Sequence, residues 1–373
     1  MAGAVIAPVL NLMREGLGVA PASVGLIITT HGLFMALFSP LMGSLIDRLG
    51  TRRPYILGLM AYGLAGGSGL FINSYWVLIA SRAVLGIALA AVFTAITVWI
   101  LNSFHGMERD RIMGWRGSAQ SLGGVIWPLI GGALGGVSWK FPFAVYLLGL
   151  LLGLLAILYV PEPESQTSRK TQTDDASVLK IFRESPVIWA IYSLMFLASV
   201  NLYVLVIFLP QLLETLGVTG TFHIGLLIAT MTSTAGLIAF VYGRIKSHLS
   251  FRAIVLAATV IWTAALVNIS RADSMPVIAV SMAVFGAGHG LVMPTVMLWI
   301  GEAVPVAFRG RFSSYLGTFG YLGQFSSPIL FSPVLYLTGL RGVFVTAAGI
   351  GLLLFLTFLI FVRENRGSQP MGN

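Results

Sequence analysis

Apolar runs of about 20 residues, the length a helix needs to cross a bilayer, recur along the chain and alternate with short stretches where charge collects. They lie near 21–45, 54–72, 75–101, 114–137, 140–160, 186–213, 221–243, 253–270, 274–301, 313–339 and 341–362, with a shorter apolar piece at 2–13. This pattern predicts an all-α integral membrane protein.

Composition points the same way. With 57% hydrophobic and 9% charged residues and a mean hydropathy of +0.91, the chain has too little polar surface to cover a soluble globule, so the lipid bilayer is its main solvent. A net charge of +9 in a soluble protein suggests nucleic acid; here its distribution follows topology instead. With the Asp47 loop taken as cytoplasmic, one face collects Arg109, Arg111 and Arg116, then Arg169, Lys170, Lys180 and Arg183, then Arg244, Lys246 and Arg252, then Arg309 and Arg311, with Arg363 and Arg366 in the tail. The opposite face holds only Arg14, Lys140, Arg271 and Arg341. This positive-inside bias puts both termini in the cytoplasm and needs no nucleic-acid partner. No cysteine is present, which excludes disulfides and thiolate metal sites. The N-terminus lacks the features of a secretory signal.

Between the first two long runs stands Gly43-Ser-Leu-Ile-Asp47-Arg48-Leu-Gly50-Thr51-Arg52-Arg53. A degenerate copy, Gly243-Arg244-Ile-Lys246-Ser247-His248-Leu-Ser250-Phe-Arg252, follows 200 residues later. The first copy resembles the cytoplasmic loop between helices 2 and 3 of the major facilitator superfamily of secondary transporters, with Thr51 where the family usually has a basic residue. At the same offset of 200, Gly25 matches Gly225, Gly86 matches Gly286, Trp99 matches Trp299, Arg109 matches Arg309, Pro128 matches Pro328 and Gly149 matches Gly349. Internal duplication of this kind is expected of that fold. The resemblance implies two six-helix bundles, at 1–160 and 186–363, joined by a cytoplasmic linker at 161–185 and followed by a cytoplasmic tail at 364–373. The linker contains a possible surface helix that starts at Asp174 and Asp175. On the repeat, helix 7 starts near Pro186, so its counterpart starts about 14 residues before Met1, a length of roughly 21 Å; the chain as given is expected to lack the first half of helix 1.

In the family the loop is a gating latch, which implies that role for Gly43, Asp47, Arg48, Gly50, Arg52 and Arg53. A carboxylate at Asp47 is favoured beside the N-terminus of the run beginning near Ser313 and Ser314; Ser247 in the second copy leaves the latch one-sided. Gly114, Gly123, Trp127, Pro128, Gly131 and Gly132 resemble the antiporter motif of drug exporters, with Trp127 where the family has glycine. Glycines permit close approach of helices and proline a bend; ordinary close packing satisfies the same glycines.

Candidates for substrate binding or coupling are polar groups inside the runs. Arg82 followed by Gly86 resembles a further family motif, and an intramembrane charge is a functional hypothesis unless it snorkels to the surface. His289 lies seven residues after Met282, the repeat partner of Arg82, so it is expected on the corresponding face, where it titrates near neutral pH or serves as a packing residue. His31, Asn201, Tyr203, Tyr321 and Gln324 complete the set. No Asp or Glu sits in the middle of any run. Zincin, Walker and nucleophile-elbow motifs are absent, so neither metal nor other cofactor is expected and the protein is read as no enzyme.

The resemblance implies a secondary transporter that exports small amphipathic organic compounds against proton entry by alternating access. It is expected to be monomeric, multi-pass and placed in a plasma membrane such as the bacterial inner membrane. An uptake symporter or facilitator for a polar or anionic metabolite is the alternative, favoured if Arg82 and His289 bind an anion.

Overall fold

The computed structural model describes residues 3–161, 175–305 and 308–360, with the side chains of Asp47, Asp110 and residues 175–179 outside that description. Most of the expected linker and the expected tail also fall outside it. A 3-10 turn at Ala7–Val9 runs into α1 (Leu10–Leu17), followed by α2 (Gly25–Leu49), α3 (Arg52–Gly67), α4 (Tyr75–Ser103), α5 (Gly106–Gly135) and α6 (Leu148–Tyr159). A short α7 (Asp175–Glu184) precedes α8 (Pro186–Thr215), α9 (Thr221–Lys246), α10 (Phe251–Arg271), α11 (Met275–Ala303) and α12 (Arg309–Ile360). Among the described residues there is no strand.

Among the described residues, eight segments are long and apolar enough to cross a membrane. The difference from eleven apolar runs has three causes. α3 is only 16 residues long before a 3-10 turn extends it. α5 is diluted by glycine and polar residues. α12 contains two runs, 313–339 and 341–362, which meet at Gly339 with φ 72°, a left-handed conformation that glycine adopts without steric cost. The chain reverses there, since Arg252 of α10 donates to the Phe358 and Leu359 carbonyls while Arg341 at the other end pairs with Asp273.

The duplication is visible in bonds. Arg52 donates to the Ile157 and Val160 carbonyls at 2.7 and 2.6 Å, and Arg252, its repeat partner, makes the corresponding clamp on the last helix of the second bundle. Lys140 pairs with Asn73 as Arg341 pairs with Asp273. A Cβ at Gly86 would stand 2.3 Å from the His31 carbonyl, and one at Gly286 would stand 2.2 Å from that of Met231. These glycines let α4 and α11 lie backbone to backbone on α2 and α9. Gly149 and Gly349 break the pattern: the first packs on Tyr62 and Gly63, and the second faces open space.

Candidate functional site

The bundles meet along α2 with α12 and along α5 with α9, and the segment at Ala7–Leu17 sits between them. Their contacts concentrate at the face opposite the basic loops. There Arg14 of α1 donates to both carboxylate oxygens of Glu214 at 3.0 and 3.3 Å. Asn11 donates to the Pro210 carbonyl at 2.7 Å, and Gln211 to that of Pro21 at 3.3 Å. Arg14 and Glu214 are themselves repeat partners, so the molecule closes this face across its own pseudo-symmetry axis with groups of opposite charge.

Below this seal the backbones press together. A Cβ at Gly225 would stand 2.4 Å from the Pro128 carbonyl, and one at Gly132 would stand 2.7 Å from that of Thr221. Thr221 donates to the Gly132 carbonyl at 2.6 Å and Thr232 to that of Gly124 at 2.9 Å. Gly131 lies against the Val5 carbonyl. The stretch resembling the antiporter motif therefore splits. Gly123, Pro128, Gly131 and Gly132 are buried and Trp127 is half-buried, whereas Gly114 is exposed with open space beside it.

Toward the basic loops the bundles part. Every residue from Gly117 to Leu122 is exposed, so more than a full turn of α5 is uncovered. Ser313 and Ser314, the expected seat of the latch, are exposed as well, and Ser314 donates within its own helix to Arg311. Asp47's side chain lies outside the described residues. Of the other latch residues, Gly43 faces open space, Arg48 and Arg53 are exposed, and Gly50 ends α2 with φ 78°. Arg52 is the helix-end clamp described above.

The binding candidates separate. Arg82, expected at a cavity or snorkelling outward, does neither. It is fully buried and donates to the Ala65 and Gly66 carbonyls of α3 at 2.9 and 3.1 Å. Its guanidinium lies 5.1 Å from the Phe143 ring and 5.3 Å from that of Tyr146, so the charge is held by carbonyls and π faces inside the first bundle. His31 is buried against Gly3. His289 does not mirror Arg82 in its partners: its ring packs among Phe285 and Trp262 of the second bundle, and neither His289 Nδ1 nor Trp262 Nε1 has a hydrogen-bond partner. Asn201 is fully buried with both amide atoms unpartnered. Tyr203 of α8 and Tyr321 of α12 are half-buried, and Gln324, one turn beyond Tyr321, donates to the Ile28 carbonyl of the other bundle at 3.4 Å.

Sequence reading missed Arg116, which it grouped with the loop charges. Because α5 begins at Gly106 and not near 114, this residue stands well inside a helix. Arg116 donates to Thr97 Oγ1 at 2.8 Å, lies 5.6 Å from the Phe93 ring and interacts electrostatically with Tyr321 of the second bundle. A cation ten residues into a helix was the available signal. The ion pair of Arg14 and Glu214 was missed too, although opposite charges at repeat-equivalent positions announced it.

The described residues contain no group of His, Cys, Asp or Glu arranged to hold a metal. Two bundles related by duplication, sealed at one face and open at the other, form a carrier's architecture. The Major Facilitator Superfamily model matches residues 1–328 and 191–370. The chain belongs to this superfamily. It is a multi-pass membrane transporter and not an enzyme.

Among curated facilitators the chain is 24% identical over 204 residues to quinolone resistance protein NorA of Staphylococcus aureus. That match spans 53% of this chain and 53% of the relative, so it covers about half the relative's length. It is also 24% identical over 352 residues to the bacillibactin exporter of Bacillus subtilis, spanning 90% of this chain and 86% of that protein. The solved D-xylose–proton symporter superposes with a TM-score of 0.80 at 16% identity, covering 98% of this chain and 95% of that one; at that identity the likeness concerns the fold alone.

Proposed function

We propose that this facilitator exports small amphipathic organic compounds in exchange for protons, by alternating access, from the basic side of a bacterial plasma membrane. On this reading the basic face is cytoplasmic, both termini lie on that side and the transporter works as a monomer. The observation that carries the proposal is the α5–α9 contact. The part of α5 that resembles the antiporter motif is the surface on which one bundle bears on the other, so motion between bundles must pass through it. Similarity to NorA and to the bacillibactin exporter supports the outward direction. The uptake alternative drew on Arg82 as an anion-binding group facing the path, and Arg82 is occupied inside the first bundle.

The experiment uses inside-out vesicles loaded at acid pH and offered the neutral amphipathic dye N-phenyl-1-naphthylamine outside. Uptake of dye that collapses with the pH gradient is the expected result. Flux only down the dye gradient, or only in right-side-out vesicles, excludes proton-coupled export. His289 with its unpartnered Nδ1 is the proposed coupling group, so His289→Ala is expected to lower gradient-driven flux strongly and His31→Ala weakly. The loop from Gly43 to Arg53 is proposed as the latch of the alternate state; Asp47→Asn then lowers flux at normal protein level, and unchanged flux removes that role.

A further inference from the structure

The exposed half of α5 touches α4 through Arg116, whose guanidinium has five donors of which one goes to Thr97. Phe93 covers one side of it. Tyr321 of the second bundle lies within electrostatic reach of it. Among the described residues Arg116 is in no ion pair, and no Asp or Glu falls in the middle of an apolar run. A cation left without a counter-ion in a cleft with low-dielectric walls attracts anions and repels cations. Its planar fork matches a carboxylate bidentately, and the surrounding rings offer flat apolar contact.

We propose that Arg116 is the point at which this transporter holds its substrate, and that the substrate carries a carboxylate or sulfonate on an aromatic body. This rests on the reading of the gap between the bundles as the transport path. Arg116 takes the charged end while Phe93 and Tyr321 line the space for the ring. Thr97 fixes the guanidinium before substrate arrives, which lowers the ordering cost of binding.

The test compares tritiated 2-naphthaleneacetate with 2-naphthaleneacetamide, which share shape and differ in charge, on the full chain in lipid nanodiscs. Wild type is expected to bind the acetate about tenfold more tightly than the amide, a difference of about 1.4 kcal/mol. Arg116→Gln, which retains a donor for Thr97, removes that preference by weakening the acetate far more than the amide; Arg116→Lys retains most of it. If Arg116 merely tethers α5 to α4, Arg116→Gln weakens both probes equally or neither, and the inference is overturned. Equal wild-type affinity for the two probes overturns it as well. Flux separates this result from the export reading. Acetate that binds through Arg116 but moves only inward ends the export reading and leaves the anion site standing. Outward flux of the neutral dye, with an acetate preference that survives in Arg116→Gln, does the reverse.

Discussion

Arg82 and Arg116 both stand well inside helices of the first bundle, and their surroundings give them opposite roles. Arg82 is encased, with Nη2 on two carbonyls at the end of α3 and its face on two aromatic rings, so removing it loses two charge-assisted hydrogen bonds and the ring contacts. Hydrogen bonds to a charged donor contribute about 1.5–3 kcal/mol each, and two are lost in Arg82→Met. That variant is expected to lower the thermal unfolding midpoint in detergent, with only partial recovery in Arg82→Lys, because an ammonium cannot reproduce the planar fork. A midpoint equal to wild type removes the structural role. Arg116→Met, by contrast, is expected to leave the midpoint near that of wild type, since its partners are one hydroxyl and one ring at the edge of a gap.

Helix pairs set how the bundles move. α5 and α9 approach so closely at Gly225 that a methyl group meets the Pro128 carbonyl of the facing helix at 2.4 Å, and backbone cannot yield as a side chain does. Gly225→Ala is expected to insert normally and to lose about tenfold or more in flux, about 1.4 kcal/mol on the limiting step. Gly236→Ala is the control on the same helix, since nothing lies within 4 Å of its Cβ position. Equal flux in both variants shows that the α5–α9 contact does not limit transport. The same pair explains why the antiporter-like stretch reads ambiguously in sequence. Its second half bears on α9 and its first half stands free, and glycines serve both situations.

At the scale of the molecule, one face is locked and the other is open. The lock joins Arg14 to Glu214 with side chains 20% and 30% exposed, so water weakens but does not abolish the attraction. Breaking it is expected to bias the carrier toward the state open at this face. The absence of native cysteine makes Ala22→Cys, beside the seal, a unique maleimide target. Labelling is expected to be several-fold faster when Glu214→Gln is added, about 1 kcal/mol of bias. The swap Arg14→Glu with Glu214→Arg restores the slow rate. If the pair does not gate, the rate stays the same in all three backgrounds.

Membrane helices, the duplication and the superfamily were legible in sequence because each is a one-dimensional property. Run length is fixed by bilayer thickness, loop charge by insertion, and the offset of 200 by gene-level repetition that Arg52 with Arg252 and Gly86 with Gly286 carry into matching contacts. Periodicity does not say which bundle a polar group faces. Arg82 and Arg116 each sit well inside a helix, yet Gly66 and Gly69 let the rings of Tyr146 and Phe143 close over the first, while the parting of α5 from its neighbours uncovers the second. Sequence alone located the charges; the packing of helices distant in the chain decided which one is neutralised by carbonyls and which one remains available to a substrate, because the cost of a buried charge depends on every group around it.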